Sequence, residues 1–318
     1  MEIVHEIALL VAGLTALWFG TELTIRGAVT VADRLGISEF VVGVAVLSVG
    51  SDLPELAIAI DGALKSFGGG DASDVIVGTS LGSYLGQLGF VLGFVALFQA
   101  LSLKRRTVWR HGAALIGSLL LLALFGYDGV VTRIEGMLLV AAYVAYFGAM
   151  FLGSTALEKD EADESSDLLT MAWALLAVGL VIVVVGAELT VSSAIDLAVA
   201  MDVSEAFVSI VLIGLGTSLP ELSISLGAAL KHRESMSVGN LIGSNVFDTL
   251  VPVGVAAAIS TIRFDRGMLT QELPYLVLLT VVVMVFFWRK RGIRTAEALI
   301  VLAMYFGYVA FKFIDSLA

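Results

Sequence analysis

Apolar segments, each long enough to cross a lipid bilayer, recur along almost the whole sequence. A helix needs roughly 20 apolar residues to cross about 30 Å of hydrocarbon. Segments of this kind, separated by short polar stretches, lie at residues 4–26, 38–64, 75–98, 111–127, 134–154, 169–192, 204–230, 238–260, 271–288 and 296–315. The pattern predicts an all-α polytopic membrane protein with ten transmembrane helices.

The composition agrees with this prediction. The chain has 318 residues, of which 58% are hydrophobic and 15% charged, whereas an average soluble domain has about 25% charged residues. The first apolar segment has no basic leader, so we expect it to remain as a span. The expected partner is the lipid bilayer and not nucleic acid, and we expect no cofactor, no enzyme activity and a functional monomer. Because the chain lacks Cys, a Cys-based metal site is excluded.

Basic residues predict the orientation in the membrane. When the loops are assigned alternately to the two sides, 13 of the 18 Lys and Arg residues fall on one side and 5 on the other. Loops rich in Lys and Arg stay in the cytoplasm, so the side with 13 basic residues should be cytoplasmic. We therefore predict a multi-pass protein of the cell membrane with both termini outside.

The sequence also contains an internal repeat. With an offset of 166 residues, positions 20–65 align without a gap to positions 186–231, and 18 of the 46 pairs are identical. The match resumes at positions 82 and 243, with an offset of 161. Each copy holds five predicted spans, an odd number, so the copies would cross the membrane in opposite orientations. We predict two inverted five-helix repeats, 1–157 and 169–318, joined by an acidic cytoplasmic linker, 158–168.

Polar residues interrupt the second and seventh spans at equivalent positions. Residues 48–55 read Ser-Val-Gly-Ser-Asp-Leu-Pro-Glu, and residues 214–221 read Gly-Leu-Gly-Thr-Ser-Leu-Pro-Glu. Gly loosens a helix and Pro removes an amide donor, so carbonyl groups before the Pro become available as ligands. One such motif is as consistent with a kinked helix as with a binding site. Two copies, each with an acid that is costly to bury in a membrane, favour ion binding.

The third and eighth spans supply further oxygen ligands. Ser83 and Gln87 are four residues apart, as are Ser244 and Asp248, so each pair shares a helix face. Four acids are thus expected to converge with Gln87 and the nearby hydroxyl groups: Asp52, Glu55, Glu221 and Asp248. Calcium prefers such oxygen ligands, and sodium accepts them too. These stretches contain no basic residue, so the acids repel one another and the site needs cations or protons.

Three other acids lie within the predicted spans. Glu22 and Glu188 occupy equivalent positions in the first and sixth spans, where we expect them to gate the transporter or tether helices, with ion binding as the alternative. Asp61 lies two turns beyond Glu55, and we expect it to line a vestibule, with direct ion binding as the alternative.

At these motifs the sequence resembles the cation/calcium exchanger superfamily, most closely its prokaryotic sodium/calcium exchanger branch. The two repeats of that family carry Gly-Thr-Ser-x-Pro-Glu followed by Gly-Ser-Asn-x-x-Asn/Asp, and the second repeat here matches at 216–221 and 243–248. The resemblance implies that several sodium ions exchange for one calcium ion by alternating access. It implies ligands of four kinds, namely carboxylates at Glu55, Glu221 and Asp248, an amide at Gln87, hydroxyls at Ser51, Ser83, Thr217, Ser218 and Ser244, and sodium-binding carbonyls at Ser48 and Gly214.

The first repeat departs from this family pattern at three positions. Asp52 replaces a Ser, Tyr84 replaces an Asn, and Gln87 replaces another Asn. Asp52 adds a fourth acid, so a proton/calcium antiporter or a monovalent cation exchanger on the same scaffold is the alternative function. An intramembrane acid protease and a passive channel are rival functions of other classes.

Overall fold

The computed structural model describes residues 2–67, 69–152, 166–201, 216, 218–290 and 292–315, which are mostly helical. In chain order the helices are α1 (Glu2–Leu35), α2 (Glu39–Val42), α3 (Ser48–Ser51), α4 (Leu53–Phe67), α5 (Ser73–Leu85), α6 (Leu92–Phe98), α7 (Arg105–Phe125), α8 (Arg133–Leu152), α9 (Ser166–Ala200), α10 (Leu219–Leu230), α11 (Glu234–Ile259), α12 (Leu273–Lys290) and α13 (Thr295–Asp315). Wider π-helical turns are Gly43–Leu47, Gly86–Val91 and Met268–Glu272, and two short strands are β1 (Val130–Val131) and β2 (Ile262–Arg263).

Eight helical segments of the described chain are long and apolar enough to cross a membrane. The segments Glu39–Ser51 and Leu53–Phe67 meet at a bend of 45° and together make a ninth. These nine coincide with the predicted spans except the seventh. Of that span, α10 is a described apolar helix of 12 residues, while most of 204–218 lies outside the described residues. The multi-pass helical fold is therefore confirmed.

The first and sixth predicted spans are longer in the structure than the sequence indicated. We predicted 4–26 and 169–192, but α1 has 34 residues and α9 has 35. At 1.5 Å per residue, each is roughly 50 Å long, well beyond the hydrocarbon thickness. The helices continue past the predicted ends at positions 26 and 192, and α1 ends only before Gly36, whose φ of 62° favours glycine.

α1 and α9 pack closely in antiparallel directions through glycines at repeat-equivalent positions. An added Cβ at Gly13 would lie 2.8 Å from the amide nitrogen of Thr190, and one at Gly179 would lie 2.5 Å from that of Thr24. Gly13 and Gly179 are 166 residues apart, as are Thr24 and Thr190. The same contact therefore occurs twice with the two helices exchanged, and small residues allow the backbones to approach.

α11 lies at the centre of the bundle. In its most apolar 18-residue window 83% of residues are buried, compared with 28% for both α1 and α9. The segment Ser73–Phe98 is the next most buried, at 72%. Peripheral helices expose large apolar side chains such as Val181 and Leu138, as expected of surfaces that face lipid.

The second span is broken where its polar motif lies. α3 ends at Ser51 and is followed by Asp52 (φ −90°, ψ 6°), and α4 begins at Leu53 with Pro54 in its first turn. Ser218 has nearly the same dihedral angles (φ −95°, ψ 9°) immediately before α10, which has Pro220 in its first turn. Asp52 and Ser218 are repeat-equivalent, so the same local sequence produces the same break twice.

Candidate functional site

Three carboxylates meet at the two helix breaks. Each of Asp52, Glu55 and Glu221 offers a carboxylate oxygen, and these three oxygens lie within 4.8 Å of one another. Glu55 is 4% exposed, and the other two are fully buried. Glu55 and Glu221 are equivalent residues of the two repeats. The duplicated motifs therefore point at each other across the centre of the bundle, and Asp52 lies beside both.

The fourth predicted acid, Asp248, lies next to this group on α11. It is fully buried and interacts electrostatically with Asp52, Glu55 and Glu221. The Nε2 of Gln87 donates a hydrogen bond of 2.8 Å to its Oδ2. Gln87 and Asp248 are themselves repeat-equivalent, at an offset of 161. The sequence predicted that these side chains converge, and the structure brings them into direct contact.

The four carboxylates lack the partners that buried acids normally need. Both oxygens of Asp52 and of Glu221, and one each of Glu55 and Asp248, are buried and make no hydrogen bond of standard geometry within the described residues. The side chains of Asp52 and Ser51 lie beside the Glu221 carboxylate. None of the ion pairs found in the described chain joins a Lys, Arg or His to any of the four. An uncompensated buried charge costs several kcal/mol. This donor set, all oxygen and strongly negative, suits a hard cation.

The predicted hydroxyl ligands include Ser83 and Ser244, which lie one helical turn before Gln87 and Asp248. Ser83, Ser218 and Ser244 are buried, and their Oγ atoms make no hydrogen bond within the described residues. The turn that follows Ser83 touches Ser218, because an added Cβ at Gly86 would lie 2.8 Å from the Oγ of Ser218. The hydroxyl groups therefore remain free to bind a cation.

The carbonyl of Ser48 is less free than the sequence suggested. It accepts hydrogen bonds from the amide of Asp52 (3.0 Å) and from the Oγ of Ser51 (3.2 Å). Because a helical amide bonds to the carbonyl four residues earlier, Pro54 instead removes the donor for Gly50. Gly214 and Thr217, the remaining predicted ligands, lie outside the described residues.

Two residues near the site have roles that the sequence did not reveal. Ser80 is buried, and its Oγ donates a hydrogen bond to the backbone carbonyl of Asp248. It lies one turn before Ser83 on α5, and that spacing could have identified it. Tyr84 is fully buried, and its hydroxyl pairs with the Oγ1 of Thr280 on α12 at 2.8 Å. Tyr84 therefore links helices behind the site.

Comparison with known proteins identifies the family. The family model described as sodium/calcium exchanger protein matches residues 5–152 and 171–314, nearly the whole chain. The chain belongs to the sodium/calcium exchanger family. This family consists of transporters and not of enzymes, and membership confirms the resemblance that the motifs indicated.

Full-length relatives and a solved structure agree with membership of the sodium/calcium exchanger family. The putative antiporter CaxA of Alkalimonas amylolytica is 29% identical, and the match covers 93% of this chain and 95% of CaxA. The sodium/calcium exchanger MaX1 of Methanosarcina acetivorans is 23% identical, with 96% and 97% covered. A structure of the sodium-calcium exchanger NCX_Mj superposes with a TM-score of 0.83, 26% identity and coverage of 97% and 99%. The family and the fold support the exchange of calcium for another cation.

Proposed function

We propose that this protein is a secondary active antiporter that exchanges sodium for calcium across the cell membrane by alternating access. The observation that carries the proposal is the group of three carboxylates within 4.8 Å of one another, buried and without a basic partner in the described chain. One calcium ion or several sodium ions would neutralise part of the same negative charge. Since both ions use the same oxygens, occupancy by one excludes the other, as exchange requires.

The ligands that we propose combine the four acids with the neighbouring amide, hydroxyl and carbonyl groups. They are Ser48, Ser51, Asp52, Glu55, Ser83, Gln87, Gly214, Thr217, Ser218, Glu221, Ser244 and Asp248. Sodium binding at Ser48 would require its carbonyl to release one of its two hydrogen bonds.

We propose that the chain has ten spans arranged as two inverted repeats, 1–157 and 169–318, with 158–168 as a cytoplasmic linker. The antiparallel packing of α1 on α9 supports this arrangement because its glycine contacts repeat at an offset of 166. Two antiparallel backbone bridges give further support. Val131 pairs with Ile262, and Leu101 pairs with Ile293. Leu101 and Ile262 are repeat-equivalent at an offset of 161, as expected of one contact made on each side of the membrane.

Competition between the two ions tests the shared site. We expect sodium chloride to displace calcium-45 from the purified protein in detergent, whereas potassium chloride at the same ionic strength displaces much less. The ionic strength is held constant because salt alone screens charges. Displacement by acid with no effect of sodium would reject sodium as the counter-ion and favour the proton/calcium antiporter. The extra acid Asp52 is the feature that favours this second candidate.

Alternating access requires contacts that close the ion site to one side of the membrane at a time. One ion pair between helices is placed to act as such a contact. Lys231, just after α10, pairs with Glu22 of α1 at 2.6 Å, and Arg26 also contacts Glu22 at 2.5 Å. The repeat equivalents of Glu22 and Lys231 are Glu188 and Lys65. Glu188 is exposed, and Lys65 pairs with Asp61 of its own helix. We propose that the Glu22–Lys231 pair opens and the Glu188–Lys65 pair forms when the binding site switches its access from one side of the membrane to the other.

Glu22→Gln is therefore expected to favour the state in which α1 and α10 separate. Ser223 on α10 reports this contact because its Oγ hydrogen-bonds to the Oγ1 of Thr21 at 2.6 Å. In the otherwise Cys-free chain, we expect Glu22→Gln to raise the rate at which Ser223→Cys reacts with a maleimide by about twofold to fivefold, the effect of losing a partly exposed ion pair. Glu188→Gln is the matched control and should not raise the rate. Equal rates in all three proteins would contradict the proposed exchange of ion pairs.

A further inference from the structure

A second cavity lies at the beginning of α7, away from the carboxylate site. Its volume is about 1070 Å³, and none of the four site acids lines it. The start of α2, the start of α7 and the end of α8 form its walls. Four of its lining residues are Lys or Arg, namely Lys104, Arg105, Arg106 and Arg110, and His111 also lines it. We call this cavity the basic cleft.

The positive charge of the basic cleft is not balanced by the described residues. Glu39 is the one acid among its lining residues, and it already pairs with Arg233. Arg110 donates a hydrogen bond to the carbonyl of Ala149 on α8, and Arg105 lies over the ring of Trp288. No ion pair of Lys104 or Arg106 is found within the described chain.

The position of these cations on α7 adds to the imbalance. Lys104 is the N-cap of the helix, and no side chain caps its first amide groups. A helix N-terminus carries a partial positive charge, so basic residues there repel it unless an anion is bound. The cluster of basic residues therefore destabilises the protein when it has no anionic partner. An anion that enters the basic cleft removes this destabilisation.

Two exposed tryptophans place the basic cleft at the depth of lipid headgroups. Trp109 of α7 and Trp288 of α12 are 67% and 43% exposed, and their rings pack edge to face with centroids 6.3 Å apart. Exposed Trp residues concentrate where a membrane meets water. The walls also include Phe40 and Met150, which are apolar. An occupant with a charged end and an apolar body matches this combination.

We propose that the basic cleft binds the phosphate group of an anionic phospholipid. Arg side chains bind phosphate oxygens in pairs, and Lys supplies an additional point charge. Basic pockets between helices at the cytoplasmic surface suit such headgroups, and this is the side to which we assign 13 of the 18 basic residues. The site is independent of the proposed exchange of sodium for calcium.

Thermal unfolding of the full-length protein in detergent tests the proposal. Phosphatidylglycerol should raise the unfolding temperature at low concentration, and phosphatidylcholine should not. The Lys104→Gln/Arg106→Gln variant should need about thirtyfold more phosphatidylglycerol for half of the effect, which corresponds to roughly 1 kcal/mol for each charge lost near the surface. Both side chains are exposed, so the two substitutions should not disturb the packing of the protein. The charge-conserving Lys104→Arg/Arg106→Lys variant should respond like the wild type.

The control variant removes two exposed arginines that do not line the basic cleft, Arg133→Gln and Arg266→Gln. It should retain the response of the wild type. The proposal is overturned if the cleft variant and the control variant respond equally to phosphatidylglycerol. It is also overturned if inorganic phosphate stabilises the protein as well as the lipid does, because the ligand would then be a free anion.

Discussion

Glu55→Gln and Glu221→Gln will each abolish calcium transport while the protein still folds. Each change removes one negative charge from the buried group of acids but very little volume. Loss of one member of a buried charged contact typically costs about 2–5 kcal/mol, so calcium affinity should fall by roughly thirtyfold or more. Uptake of calcium-45 by proteoliposomes measures the loss, and size-exclusion chromatography of the purified protein confirms folding.

Asp61→Asn is the matched control for these substitutions. Asp61 lies on the same helix as Glu55, but its side chain is 64% exposed and pairs with Lys65. The change removes one acid of the same helix from outside the carboxylate group, so calcium affinity should stay within about twofold of the wild type, as expected for a surface ion pair. Normal transport by both Glu variants would contradict the assignment of the site.

Gly243→Ala is expected to destabilise the protein through a backbone contact. Gly243 of α11 lies against the segment that precedes α3, and an added Cβ would lie 2.7 Å from both the Cα and the carbonyl oxygen of Val44. Backbone atoms cannot rotate away as a side chain can, so the helices must separate. We expect a loss of about 1–3 kcal/mol in the free energy of unfolding, or more. A lower thermal unfolding temperature and a lower yield of folded protein would show it.

Gly82→Ala is the control that the repeat provides. Gly82 is the equivalent of Gly243 in the first half, and an added Cβ there would have no neighbour within 4 Å. Since Ala favours a helix over Gly by about 1 kcal/mol, this variant should be at least as stable as the wild type. Equal destabilisation by both substitutions would show that the contact between α11 and Val44 is not the cause.

Much of the fold could be predicted from hydrophobic patterning. Spans follow from uninterrupted apolar length, and the helix breaks follow from Pro54 and Pro220, because proline acts on its own backbone. The convergence of Asp52, Glu55 and Glu221 could be expected because an isolated acid in a membrane is too costly. The spans, the helix breaks and the convergence of the acids depend on local sequence or on the cost of burial. Both can be judged from the sequence alone.

Contacts between helices could not be predicted in the same way. The hydrogen bond of Ser80 to the Asp248 carbonyl joins residues 168 positions apart. The link between Tyr84 and Thr280 joins residues 196 apart. Such partners depend on how helices are rotated against one another, which a single sequence does not encode as a local pattern. The engagement of the Ser48 carbonyl was likewise missed, since it depends on how Ser51 orients its hydroxyl group.

Calcium-45 uptake into proteoliposomes tests the central claim most directly. Vesicles loaded with sodium are diluted into sodium-free buffer, beside vesicles loaded with potassium and vesicles that carry only a pH gradient. Exchange of sodium for calcium predicts uptake that requires internal sodium and is lost in Glu221→Gln. Uptake driven only by the pH gradient, or uptake that follows the membrane potential without any counter-ion gradient, would contradict that function.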